Sequence, residues 1–430
     1  MKNWKKVLYS VLGIVTFLSV AICFRKPEGR TGEDEDDFLY SEESMEEAVI
    51  HYYIWENEEA YVRSVIEAYE SMHHNITIEL HVVNGDVYDD RLVDTLRGEE
   101  PVDLVEIRDT SQLVNLANQE LIMDMTSFMQ KGKLDVKAYG NMFNEICIDG
   151  RYYGVPIRST CWILLYNKDI FDKMGISYPG QMTWEEYGDL AIRLTRKEDG
   201  IKGGYWPPWC YNFAALQGSE YLIDDELNLT RKSLEMLHRF YEEDGSHYNF
   251  DETIHQAKKL SDLFREGNIA MMPQGEWMVN MLLEREKTEG KTVNWGIAPM
   301  PVLSEEAGTT WGQYQFAAVA QKTEHPVEVF NFLEFLCGEE GARIYAQKGI
   351  VHAYTTKEIQ VLYAKAIGEE AASVISSAKR NQEQLAIPHY HELIDLFEEC
   401  AENYLNGNYT IEQTMKNFKE EREKIYRIVK

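Results

Sequence analysis

The constraint that most narrows the fold of this chain is a change of hydrophobic period, repeated in order, between Val49 and Ile107. Val49 to Trp55 is a short apolar run, and it is followed by a helical pattern in which Val62, Val65, Ile66, Tyr69 and Met72 share one face. Ile76, Ile78, Leu80 and Val82 then alternate as on one side of a strand. A second helix, Tyr88 to Leu96, is closed by Gly98, and Val102 to Ile107 reads as a further strand. Strands and helices in alternation give a parallel sheet covered by helices, because each crossover must return to the same edge of its sheet.

The same grammar recurs downstream. Cys161 to Tyr166 is continuously apolar, as in a strand buried on both faces, and it leads to a helix from Trp184 to Arg196. Thr183 with Glu186 three residues on is a capping box for that helix. Helices are expected at 231–243 and 253–266, with a short strand at 269–272. After Trp311 come a strand at 316–320 and two helices, 326–337 and 339–348, the first with Pro326 at its start and Gly338 just past its end. The last 70 or so residues read as mostly helical. At 430 residues, the chain is long enough for two α/β domains.

Charge removes some partners. The formal net charge is −30, which repels phosphate backbones, so nucleic acid is excluded as a partner. Residues 31–50 carry nine acids and no Lys or Arg, and the stretch from Thr31 to Glu47 is too polar to bury a core. It reads as a tether.

Ahead of it, Lys2, Lys5 and Lys6 precede an apolar run from Val7 to Ile22 that ends at Cys23. The run is short for a membrane span and fits an export signal, with Cys23 placed as in a lipoprotein. Val20 and Ile22 depart from the residues usual before a lipidated cysteine, which leaves an uncleaved anchor open. The chain is then expected at the outer face of the cytoplasmic membrane. The other five cysteines, Cys147, Cys161, Cys210, Cys337 and Cys400, are widely spaced, without a C-x-x-C pair, and read as small buried apolar residues.

Five segments in order carry a resemblance: RYYGVPIRSTCWILLYNKDIFDKMGI at 151–176, MTWEEYGDLAIRLT at 182–195, LFREGNIAMMPQGEWMV at 263–279, NWGIAPMPV at 294–302, and FAAVAQKTEHPVEVFNFLEFLCGEEGARIYAQKGI at 316–350. Together with the strand ending in Trp55, they resemble the extracellular solute-binding proteins of bacterial ABC importers, the family that includes the maltose-type binding proteins. The resemblance departs at two places: Trp311-Gly312-Gln313 stands where a Gly-Gly turn is commoner, and Val351-His352-Ala353 lacks a proline.

That resemblance implies a type II periplasmic-binding-protein fold, two α/β lobes with a ligand cleft and a hinge between them. Lobe one would hold residues 49–158 and 312–356, lobe two 159–311 and 357–430, after a leader at 1–23 and a tether at 24–48. Gly154-Val155-Pro156 would sit at the first crossing. Implied too are capture of a sugar or oligosaccharide by lobe closure, delivery to ABC permease subunits, and a monomer that needs no cofactor or metal.

Sugars offer apolar C–H faces and polar rims, so rings and a few hydrogen-bonding groups are the residues to look for. Trp55, with Glu56 and Asn57, falls after the first strand, where its ring either meets ligand or caps the sheet edge. Trp206 and Trp209 flank Pro207 and Pro208 in a stiff loop. Glu276 and Trp277 open a helix after Gly275; Trp277 faces ligand or packs between the lobes. Trp311 and Gln313 precede the returning strand. Arg108 and Asp109 lie at the carboxyl end of a strand, where open α/β sheets bind ligands, and Arg158 follows the hinge segment; each has a surface ion pair as its alternative. Trp162, Trp184 and Trp295 are expected in the core, and His389 and His391 on a helix face rather than at a metal.

Two other functions stay open. A ligand-presenting sensory subunit would share the fold. A carbohydrate-active enzyme would need a pair of carboxylates about 5 to 10 Å apart, to which Glu56, Asp109 and Glu276 are candidates. The sequence has no G-x-S-x-G, P-loop, H-E-x-x-H or G-x-G-x-x-G motif.

Overall fold

The computed structural model describes residues 46–255, 260–290, 293–303 and 309–429; Cys23, the leader and most of the tether lie outside them. Strands β1 (Ala48–Trp55), β2 (Ile76–Val83) and β3 (Leu104–Ile107) run parallel, with β1 between the other two. Helices α1 (Glu59–Met72) and α2 (Tyr88–Arg97) make the crossovers. The α1 face read from the sequence is buried except at its last position, Met72, which is in solvent.

Next come β4 (Val155–Ser159), β5 (Trp162–Asn167), β6 (Lys202–Gly204), β7 (Ile269–Gly275), β8 (Trp295–Ala298), β9 (Thr309–Gly312), β10 (Tyr314–Val319) and β11 (Lys379–Gln382). The first sheet has the order β2-β1-β3-β10-β4, and β10 is antiparallel to both of its neighbours. A second sheet has the order β6-β7-β5-β8, and β9 pairs with β11 in a two-stranded ribbon. Cys161 precedes β5 rather than beginning it, and β7 extends to Gly275.

The apolar side chains divide accordingly. One core gathers Ile50, Val65, Leu104, Val155, Phe316 and Phe332. A second gathers Leu164, Trp184, Phe213, Trp311 and Phe397, and a third covers the other face of the second sheet with Ile163, Phe264 and Leu282. Two layered α/β lobes result, each with its own core.

The capping box is present: Thr183 Oγ1 accepts from Glu186 N and the Glu186 carboxylate accepts from Thr183 N, at the start of α3 (Trp184–Leu194). The expected helix at 231–243 begins earlier, at Asn228, and widens to a π-turn over Arg239–Glu243.

Three corrections follow. Gly154-Val155-Pro156 is not a crossing: Val155 is wholly buried in the first core, and the chain passes between sheets at Ser159-Thr160-Cys161 and again at Gly312-Gln313. The two crossings lie side by side. Thr160 N donates to Gln313 O at 2.9 Å, and Gln313 N donates to Thr160 Oγ1 at 3.1 Å. Gly312 permits this approach, because a Cβ there would fall 2.1 Å from Thr160 O. The C-terminal part also holds β11 among its helices, and Arg380 on it reaches Ser159 Oγ and the Tyr314 hydroxyl. Trp295 is half-buried and donates to Glu286 at 2.8 Å, at the rim of its core rather than inside it.

Candidate ligand cleft

A cavity of about 490 Å³ opens where the lobes face each other. Lobe one contributes the carboxyl end of β1 and the turn after it, because parallel strands leave their loops at that edge. Trp55, Glu56 and Asn57 line it from there, and Arg108 from the carboxyl end of β3. Trp209, and Trp277 with Asn280 on α4 (Trp277–Glu289), line it from lobe two, and Gln313 comes from the crossing itself.

Trp55 ends β1 instead of standing in a loop, and only 4% of it is exposed. Its ring meets Tyr88 edge-on, and the Arg108 guanidinium sits 5.0 Å from its centroid. The ring thus caps the carboxyl end of β1 and also borders the cavity. Arg108 is fixed by donation to Gly85 O at 2.7 Å and to Asp89 Oδ2 at 3.2 Å. Gly85 has room for this because it carries no Cβ; one would lie 3.0 Å from Arg108 Nη2.

The two tryptophans of the proline loop part company. Trp209 is 44% exposed and borders the cavity, whereas Trp206 is wholly buried and donates its indole N–H to Cys210 O at 3.0 Å. Trp206 is thus a core residue. Trp311 is too: it is fully buried, stacked on Trp162 with centroids 5.2 Å apart. Asp109 also falls away from the cavity, as the N-cap of the helix Thr110–Asn118, where its Oδ1 accepts from Gln112 N at 2.8 Å.

Glu276 is not presented to the cavity. It is buried against Arg158, whose Nη2 donates to it at 2.9 Å while Nη1 donates to Glu58 at 3.2 Å and to the Tyr61 hydroxyl at 3.3 Å. Arg158, named as a ligand contact with a surface ion pair as its alternative, lines the cavity and is held in a buried triad with Glu58 and Glu276. Burial pushes the Glu58 carboxyl up to about 7 despite Arg158 beside it, and it raises Glu276 as well.

Sequence reading missed Tyr61, Asp86, Asn280, Met281, Gln315 and Ile350, all on the cavity wall. Gln315 follows Gln313 by two residues, so alternation along β10 could have flagged it. The register of β10 against β4 shifts between Gln315 and Phe316, a bulge that re-aims side chains beside the cleft. The Oε1 atoms of Gln313 and Gln315 are buried without a hydrogen-bond partner among the described residues.

Two lobes with separate cores, paired crossings and a ring-lined cleft between them define a two-lobe binding protein. The family of bacterial extracellular solute-binding proteins matches residues 55–343, and the chain belongs to that family. The chain is similar to a sugar transporter protein of Rhizobium etli solved in an open conformation, at 27% identity and a TM-score of 0.74, over 87% of this chain and 98% of that one. It also shares the fold of an ABC substrate-binding protein of Listeria monocytogenes solved in complex with cycloalternan, at 20% identity and a TM-score of 0.77, over 88% and 98%. Among characterised sequences it is 24% identical to the arabinooligosaccharide-binding protein of Halalkalibacterium halodurans over 206 residues, 45% of each chain. No helix among the described residues is long and apolar enough to cross a membrane.

Proposed function

We propose that the protein captures a sugar or oligosaccharide between its lobes and delivers it to the permease of an ABC importer. The observation that carries this is the convergence, on one cavity, of Trp55, Trp209 and Trp277 with Gln313 and Gln315. Flat rings match the C–H faces of a pyranose, and side-chain amides match its hydroxyls. The sugar ligands named for the Listeria and Halalkalibacterium proteins support the same class.

Lobe one, 49–158 with 312–356, closes on lobe two, 159–311 with 357–430. Ligand contacts from both lobes favour the closed state, and that state is what the permease reads. The protein acts as a monomer, binds without turnover, and is held at the outer face of the membrane through Cys23.

The test is thermal unfolding against mono- and oligosaccharides, with polyamines, uronic acids and amino acids as controls. A ligand at 100 times its Kd stabilises the native state by about 2.7 kcal/mol. A shift with one sugar class, lost in Trp209→Ala and Trp277→Ala, supports the assignment; a shift with none of the sugars overturns it.

A further inference from the structure

Outside the cleft, β1 and β2 bring three metal-ligating side chains together on one face of the first sheet. The parallel register pairs His51 with Glu79 and Tyr53 with His81, so the three donors lie on adjacent strands within two residues of each other. His51 Nδ1 is 3.0 Å from His81 Nε2. Glu79 extends one oxygen to 3.9 Å from His51 Nδ1 and the other to 3.7 Å from His81 Nε2.

We propose that His51, Glu79 and His81 form a site for a divalent transition metal of the zinc class. Zinc–ligand bonds of about 2.0–2.2 Å at tetrahedral angles set ligand atoms about 3.3 Å apart. The observed separations of 3.0, 3.7 and 3.9 Å bracket that spacing, so small side-chain rotations suffice. Two imidazoles and a carboxylate are a donor set suited to zinc, and they leave a fourth position for water.

Two further observations favour a metal over a simple histidine pair. A hydrogen bond between two imidazoles is complete without a carboxylate, yet Glu79 reaches both of them. The His81 ring is also held flat against Tyr53, with centroids 4.2 Å apart and planes within 7°, which fixes its lone pair toward His51. Bound metal would tie β1 to the edge strand β2 at a point sharing no residue with the cleft wall.

The experiment is calorimetric titration of Zn²⁺ into the untagged, chelator-stripped protein, with the absorption spectrum of its Co²⁺ complex as a second readout. The expected result is one Zn²⁺ per chain and a Co²⁺ spectrum of four-coordinate type. His51→Ala and His81→Ala should each weaken binding by about 100-fold or more, and Glu79→Gln by about 10-fold or more. Melting in chelator and any sugar-dependent shift should be unchanged in Glu79→Gln, which separates this proposal from the cleft assignment. Failure of the native protein to bind Zn²⁺, or equal binding by the His51→Ala/His81→Ala double variant, overturns it.

Discussion

Arg158 on β4 and Glu276 at the head of α4 meet at 2.9 Å across the lobe boundary, both side chains all but excluded from water. Glu58 of lobe one shares the same guanidinium. A buried charge that loses its partner costs about 3–5 kcal/mol. Arg158→Leu strands two carboxylates and should lower stability by that amount in denaturant unfolding at pH 8. The loss should shrink below pH 6, where Glu58 takes up a proton. An equal loss at both pH values would show that the carboxylates are not what the arginine compensates.

Global stability should peak between about pH 4.5 and 6.5. Burial pushes Glu58 and Glu398 up to about 7 and Glu383 up to about 8. A raised folded pKa means that the native state holds protons the unfolded chain has released, so stability falls as pH rises from 4.5 through these values. His247 and His352 are buried and lowered to about 3, so their contribution is lost as pH falls below 6.5. Melting temperature scanned from pH 4 to 9 checks the dome; a monotonic rise to pH 9 would contradict it.

Trp206 and Trp209 lie three residues apart and should respond in opposite ways. Trp206→Ala empties a core position and should cost about 3–5 kcal/mol of stability. Trp209→Ala removes a half-exposed ring and should change stability by no more than about 0.5 kcal/mol while weakening ligand binding. Calorimetric binding and chemical unfolding of both variants separate the two roles.

Gly312→Ala places a methyl group against the Thr160 carbonyl, 2.1 Å away before relaxation. Forcing the crossings apart should cost about 1–3 kcal/mol, as overpacking does elsewhere. Closure should suffer as well, so small-angle scattering should show a smaller ligand-induced contraction than in the native protein.

The sequence disclosed elements wherever a period was sustained. Val62 to Tyr69, Cys161 to Tyr166 and Pro326 to Cys337 each bury a face or a run, and burial writes hydrophobicity into the residues. β11 was hidden because Lys379-Arg380-Asn381-Gln382 pairs through its backbone with β9 and has no apolar side chain. Within the site, residue type located the rings but not their exposure: nothing local distinguishes Trp206 from Trp209. Burial of Glu276 against Arg158 was equally unreadable, since the partners are 118 residues apart. The E-x-H spacing of Glu79 and His81 was visible on β2, but His51 joins them only through the register of β1.

In the first sheet, β10 stands between β3 and β4, and β4 has no other strand neighbour. Lobe one therefore cannot finish its sheet until residues 314–319 have been made, and the 159–311 part of lobe two is synthesised before them. Pairing at that sequence distance is slow, because loop-closure entropy must be overcome first. During synthesis β3 keeps an open edge and the chain has no completed N-terminal unit. A polypeptide ordered in this way stays threadable until late, which suits passage through a narrow translocation channel before folding on the far side.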